Sequence, residues 1–160
     1  MTLTRRFDAP LEKVWKAWTL EEEVMKWWGP LGFTCPMAKM NVVVGAASLV
    51  CMRAPQAFGG AEMYNTWRYQ SIEPGKHLQF MQGWADKNGN RIAPSSLGLP
   101  PGIPDEVPHL ITFRGLSSGG TEIAITETGY ANAQVVEISR AGMMQCLDKM
   151  EKALLTSATK

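Results

Sequence analysis

The chain has 160 residues, 45% apolar and 19% charged, with sixteen basic against fifteen acidic side chains. That length suits one domain over residues 1–160 with its own buried core, and a net charge of +1 supplies no field to gather nucleic acid or an anionic lipid surface. No stretch approaches the roughly 18 consecutive apolar residues of a membrane span, so no membrane insertion is expected. The opening Met-Thr-Leu-Thr-Arg-Arg-Phe-Asp lacks the apolar stretch of an export signal. Cys35, Cys51 and Cys146 are widely spaced with no Cys-x-x-Cys pair, which reads as reduced thiols of a cytoplasmic protein.

Residues 2–7 alternate as an opening strand. Asp8 is placed to cap a helix just beyond it, and Pro10 suits a first helical turn, where its missing N–H loses no partner. Leu11, Val14, Trp15 and Trp18 recur at helical spacing. Thr19 with Glu22 has the pattern of a capping box, opening a second short helix through Val24, Met25, Trp27 and Trp28 to a stop at Gly29-Pro30. Strand patterns come next at 33–44, at 48–53 after the Gly45-Ala46-Ala47 turn, at 62–73, and at 77–85 beyond a Pro74-Gly75-Lys76 hairpin. Residues 86–108 hold Asp86-Lys87-Asn88-Gly89 and five prolines (94, 100, 101, 104 and 108), which predicts an irregular loop, functional or mobile. Two more strands are expected at 109–116 and 121–128, joined by Ser117-Ser118-Gly119-Gly120. From 131 to about 155 only Gly142 interrupts a long helix, whose one face carries Val135, Ser139, Met143, Cys146, Met150, Ala153 and Leu154.

This order predicts an α+β helix-grip fold: a bent antiparallel sheet of about six strands wrapped round a long C-terminal helix, with two short helices after the first strand. A curved sheet and a straight rod do not close tightly, so a cavity between them is expected. Its walls would draw on Trp67, Tyr69, Phe80, Met81, Trp84, Ile111 and Phe113 from the sheet and on Ser139, Met143, Cys146 and Met150 from the helix. Aromatic rings and soft methionine sulfur are typical of apolar ligand walls, although much of this set must also be core.

Two residues could carry chemistry there. His109 shares a strand face with Val107, Ile111 and Phe113 by period two; it is an acid/base candidate or a core histidine bonded to backbone. Glu127 shares a face with Ile123 and Ile125. Facing inward it would be a buried carboxylate and candidate base, and facing outward a solvated strand end. The other imidazole, His77, opens its strand beside a turn and is expected to be exposed. Arg53, Arg68, Arg91 and Arg114 are scattered as surface arginines usually are. No nucleophile-elbow, metalloprotease or phosphate-loop pattern is present, and three spread cysteines with two histidines do not match zinc spacing, so no metal and no cofactor is expected.

The sequence resembles the SRPBCC (START-like, birch-pollen-allergen-like) superfamily, and within it the homologues of the activator of the ninety-kilodalton heat-shock protein's ATPase. The carrying segments are Arg6-Phe7-Asp8-Ala9-Pro10, Val14-Trp15-Lys16-Ala17-Trp18-Thr19, Lys26-Trp27-Trp28-Gly29-Pro30 with Gly32-Phe33-Thr34, Ile72-Glu73-Pro74-Gly75-Lys76-His77-Leu78 and Thr126-Glu127-Thr128-Gly129-Tyr130. The chain departs from the family where Val44-Gly45-Ala46-Ala47 replaces a Pro-Gly-Gly, where Met143 stands near a frequent tryptophan, where Glu127 stands for a histidine, and in the longer 86–108 insertion. The resemblance implies the helix-grip fold but little fixed chemistry, because relatives include carriers, cyclases and co-chaperone domains. Three functions are expected on this basis. The first is binding of a small hydrophobic molecule between sheet and helix with 86–108 as a lid. The second is a cyclase- or hydrolase-type enzyme using His109 and Glu127. The third is a co-chaperone-like module, which exposed Trp27 and Trp28 would support, although these tryptophans are expected instead to seal the end of the pocket; a homodimer or a chaperone partner stays open.

Overall fold

The computed structural model describes residues 1–158. Strand β1 (Thr2–Phe7) leads into α1 (Leu11–Thr19) and the single turn α2 (Glu21–Val24), then β2 (Thr34–Lys39), β3 (Ala47–Arg53), β4 (Glu62–Glu73), β5 (His77–Ala85), β6 (Glu106–Gly115), β7 (Thr121–Glu127) and α3 (Ala133–Ala158). The strands form one sheet in the order β1-β7-β6-β5-β4-β3-β2, every pairing antiparallel. This is the expected α+β helix-grip architecture, with seven strands in place of about six. Among the described residues no helix is long and apolar enough to cross a membrane.

Side-chain alternation fixes which face of each strand is buried. On β6 it is Val107, His109, Ile111 and Phe113, and on β7 Thr121, Ile123, Ile125 and Glu127. The facing rings run in a connected series from the N-terminal helices across the sheet. Trp18 lies 4.7 Å from Trp27, Trp27 5.8 Å from Trp28, Trp28 5.1 Å from Trp67, Trp67 5.1 Å from Phe80 and Phe80 5.0 Å from His109. Trp27 Nε1 donates to the Ala17 carbonyl at 2.7 Å, which ties the turn after α2 back to α1.

Several local expectations change. Asp8 does not cap α1: Pro10 is the N-cap, no side chain bonds there, and the Pro10 carbonyl takes Lys13 N and Val14 N instead. Thr19 does not open α2 either. The two helices abut at Leu20, so the Thr19 hydroxyl turns back to the Trp15 carbonyl at 2.9 Å. Strand β6 begins at Glu106, inside the segment expected to be loop, and includes Pro108. Pro108 pairs with Met81 on β5 while its carbonyl takes Thr128 N just past the end of β7. Its missing N–H therefore faces a stretch where no strand needs it. Helix α3 carries a cap that the residue pattern does not single out, Asn132 Oδ1 accepting from Val135 N at 3.0 Å.

The Trp28-Gly29-Pro30 turn seats the N-terminal helices on the sheet. Gly29 has φ +105°, and a β-carbon there would come within 3.0 Å of Phe33 Cβ. Lys149 of α3 closes the same turn, its Nζ donating to the Gly29 and Phe33 carbonyls at 2.9 and 3.0 Å. Gly29→Ala therefore combines a left-handed backbone with a clash and is expected to destabilise the fold by about 2–3 kcal/mol, read by urea unfolding.

Candidate functional site

Helix α3 meets the sheet unevenly. Its later residues Leu147, Met150 and Leu154 are buried in the core, whereas Ser139, Gly142, Met143 and Cys146 stand over a cavity of about 210 Å³. The sheet side of that cavity is Met52 from β3, Met63 and Asn65 from β4, and Gln82 and Trp84 from β5. Trp28 and Pro30 close one end, and Leu99 and Ile103 of the 86–105 loop close another. The loop is held there because Ala131 N, just before α3, donates to the Gly102 carbonyl at 2.9 Å.

Gly142 has no heavy atom within 4 Å of where its β-carbon would stand. Mid-helix glycine is unfavourable against alanine by roughly 0.5–1 kcal/mol, and here the missing side chain is volume given to the cavity.

Among the described residues the one charged group in the cavity wall is Glu127, at the inward end of β7. Its Oε2 accepts from the Ser139 hydroxyl at 2.8 Å, and that hydroxyl lies 2.9 Å from the Tyr130 hydroxyl. Its Oε1 lies 2.6 Å from His109 Nε2, with both side chains almost fully buried. That last approach has the distance of an ion pair without the alignment of a hydrogen bond. His109 Nδ1 lies 2.9 Å from the Val107 carbonyl.

Burial pushes the Glu127 carboxyl up, but the close approach and charge of His109 and the hydroxyls of Ser139 and Tyr130 outweigh it and hold the group below its ordinary value of 4.5. Burial, followed by the charge of Glu127, pushes the Tyr130 phenol up, so it remains a donor. Burial takes the Cys146 thiol up to about 11, which leaves it neutral and a poor nucleophile at pH 7.

Of the wall residues expected from the sequence, Trp84, Glu127, Ser139, Met143 and Cys146 line this cavity. Trp67, Tyr69, Phe80, Ile111, Phe113 and Met150 lie within the packed core instead, where Trp15 packs on Phe113 and Trp18 and Trp28 pack on Trp67. Met81 falls on the opposite face, since inward Phe80 precedes it on the same strand. His109 is stacked under Phe80 and touches Glu127, without forming cavity wall. His77 is half-buried rather than exposed, its Nε2 2.7 Å from Ser71 Oγ. Arg53, Arg68, Arg91 and Arg114 pair with Glu62, Glu106, Glu106 and Glu122 away from the cavity.

Asn65, Gln82 and Tyr130 join the wall without being expected there from the residue pattern. Period two from Trp67 places Asn65 inward, and the sequence offers no comparable signal for Tyr130. Trp27 and Trp28 are both buried, so they form no exposed patch for a chaperone partner. Among the described residues no group of three His, Cys, Asp or Glu side chains could hold a metal ion.

The sequence profile of the family described as Activator of Hsp90 ATPase homolog 1-like protein matches residues 8–155. No curated protein matches the chain significantly. Among solved structures, a Staphylococcus epidermidis protein superposes with TM-score 0.77 at 21% identity, over 98% of this chain and 90% of that one. A Chromobacterium violaceum protein gives 0.75 at 23% identity over 96% and 95%. The AHSA1 protein of Silicibacter pomeroyi gives 0.76 at 15% identity over 98% of each. At these identities the likeness is one of fold.

The Glu127 arrangement has a pH signature. A carboxyl held low in the folded state adds stability that is complete above the ordinary value of 4.5 and is lost as pH falls through the lower folded value. Glu62, Asp86 and Glu122 are shifted the same way, and their contributions cancel in a comparison of variants. The difference in unfolding free energy between the native chain and Glu127→Gln should shrink as pH falls below 4.5, as measured by urea titration.

Proposed function

We propose that this chain, which belongs to the activator of Hsp90 ATPase homolog 1-like family, binds a small hydrophobic molecule between its sheet and the first half of α3. The supporting observation is the cavity itself: a wall of indole, methionine and aliphatic side chains with a few polar groups, among them Asn65 and a Glu127 already bonded to Ser139. Ligand sites have this composition, apolar over most of their surface with a few placed polar anchors. Leu99 and Ile103 make the 86–105 loop part of the wall, which suits the lid role. Free, buried thiols suit the cytoplasm.

The enzymatic alternative has one observation in its favour, the 2.6 Å approach of His109 to Glu127. Geometry gives it less support than binding, because Glu127 lines the cavity and the His109 imidazole does not. A guest there could touch the acid but not the base. General acid/base work by both requires each within hydrogen-bond reach of the reacting atoms.

The test is a ligand screen with native mass spectrometry and thermal shift, run on the native chain and on Gly142→Leu. The leucine has open space to enter and replaces a poor helix former. The variant is therefore expected to melt no lower than the native chain while losing guests that the native chain takes up. Apolar compounds that neither bind nor raise the melting temperature of the native chain would remove the proposal.

A further inference from the structure

Resting on that reading, we propose that the guest is a flat neutral molecule of one or two rings carrying a hydroxyl group, and that carboxylates of the same shape are rejected. Size sets the first limit. An engineered apolar cavity of about 150 Å³ takes up benzene, so about 210 Å³ has room for a substituted single ring or a fused pair. The walls favour a ring: Trp28 and Trp84 present indoles, and Met52, Met63 and Met143 present thioethers, which make favourable contacts with aromatic edges.

Hydrogen-bond accounting sets the second limit. Asn65 is 1% exposed and lines the cavity. Its Nδ2 donates to the Gly83 carbonyl at 3.3 Å, which leaves Oδ1 without a donor. Among the described residues Oδ1 is the one buried side-chain acceptor in that condition; the other unpartnered atoms are ring nitrogens. Trp28 Nε1 is one of these, but Trp18 and Trp67 share the state within the ring cluster, so the indole donors do not discriminate. A buried acceptor without a donor is unfavourable, and a guest hydroxyl supplies the donor.

Charge sets the third limit. Among the described residues Glu127 is the one charged side chain on the wall, and no lysine or arginine lines the cavity. A carboxylate guest would enter a weakly polar space beside a buried carboxylate, with no cation to meet it. His109 already stands against Glu127, so the guest need bring no positive charge.

Isothermal titration of the full chain with 2-naphthol, naphthalene and 2-naphthoate tests this, with the indole N–H signals of Trp28 and Trp84 reporting the location. 2-Naphthol is expected to bind about three- to tenfold tighter than naphthalene, and 2-naphthoate at least about tenfold weaker than 2-naphthol. In Asn65→Leu the advantage of naphthol over naphthalene should fall to within about twofold, and Glu127→Gln should raise the affinity for 2-naphthoate. The native-chain series decides the matter even if either variant folds poorly. Naphthalene or 2-naphthoate matching 2-naphthol would overturn the hydroxyl assignment and leave apolar binding intact. Silence from all three, alongside a hit elsewhere in the wider screen, would overturn the proposed class of guest; silence throughout would remove the binding reading itself.

Discussion

Where α3 touches the sheet and where it stands off governs the rest of the molecule. Its later half is pinned from several directions. Leu147, Met150 and Leu154 enter the core, Lys149 holds two carbonyls of the turn after α2, and Arg5 on β1 reaches both Asp148 and Glu151. Its earlier half has small or flexible side chains facing the sheet at Ser139, Gly142 and Met143. A straight rod clamped at one end over a curved surface separates from it at the other, and the space so made is the cavity. Close packing elsewhere in the core keeps that gap from being absorbed by relaxation.

The same separation explains why a carboxylate is tolerated so deep. Glu127 lies where the sheet and helix part, so Ser139 can reach it from α3 while His109 meets it from the neighbouring strand. Strand register fixes this, because Glu127 pairs directly with His109 across β6 and β7. A shift of β7 by one residue would send Glu127 outward and put Thr126 inside. The acid is thus a consequence of the same alternation that builds the apolar face, and its partners offset the desolvation that would otherwise expel it.

Much of the architecture is legible in the residues, since helical and alternating periods are written in the chain and the runs at 62–73 and 77–85 coincide with β4 and β5. The inward face of β6 is equally plain in Val107, His109, Ile111 and Phe113. The place where α3 departs from the sheet is not legible there, and that alone decides whether an inward residue is wall or core. Trp67 and Asn65 share a face of β4, yet only Asn65 reaches the cavity. Capping escapes a local reading for a related reason. Asp8 and Thr19 have suitable side chains, but the N-cap positions fall one or two residues further on, at Pro10 and Leu20. Pro108 has the look of a breaker because its tolerance depends on where the neighbouring strand ends, a long-range fact.

The ring series that joins the two ends of the core also makes the protein its own optical sensor. Trp28 forms cavity wall and lies 5.1 Å from Trp67, which lies 6.1 Å from Trp18, itself 4.7 Å from Trp27. Excitation absorbed anywhere in such a cluster migrates between indoles far faster than it is emitted. A molecule settling beside Trp28 therefore alters the emission of the whole set, and occupancy can be followed in unlabelled protein by its intrinsic fluorescence alone.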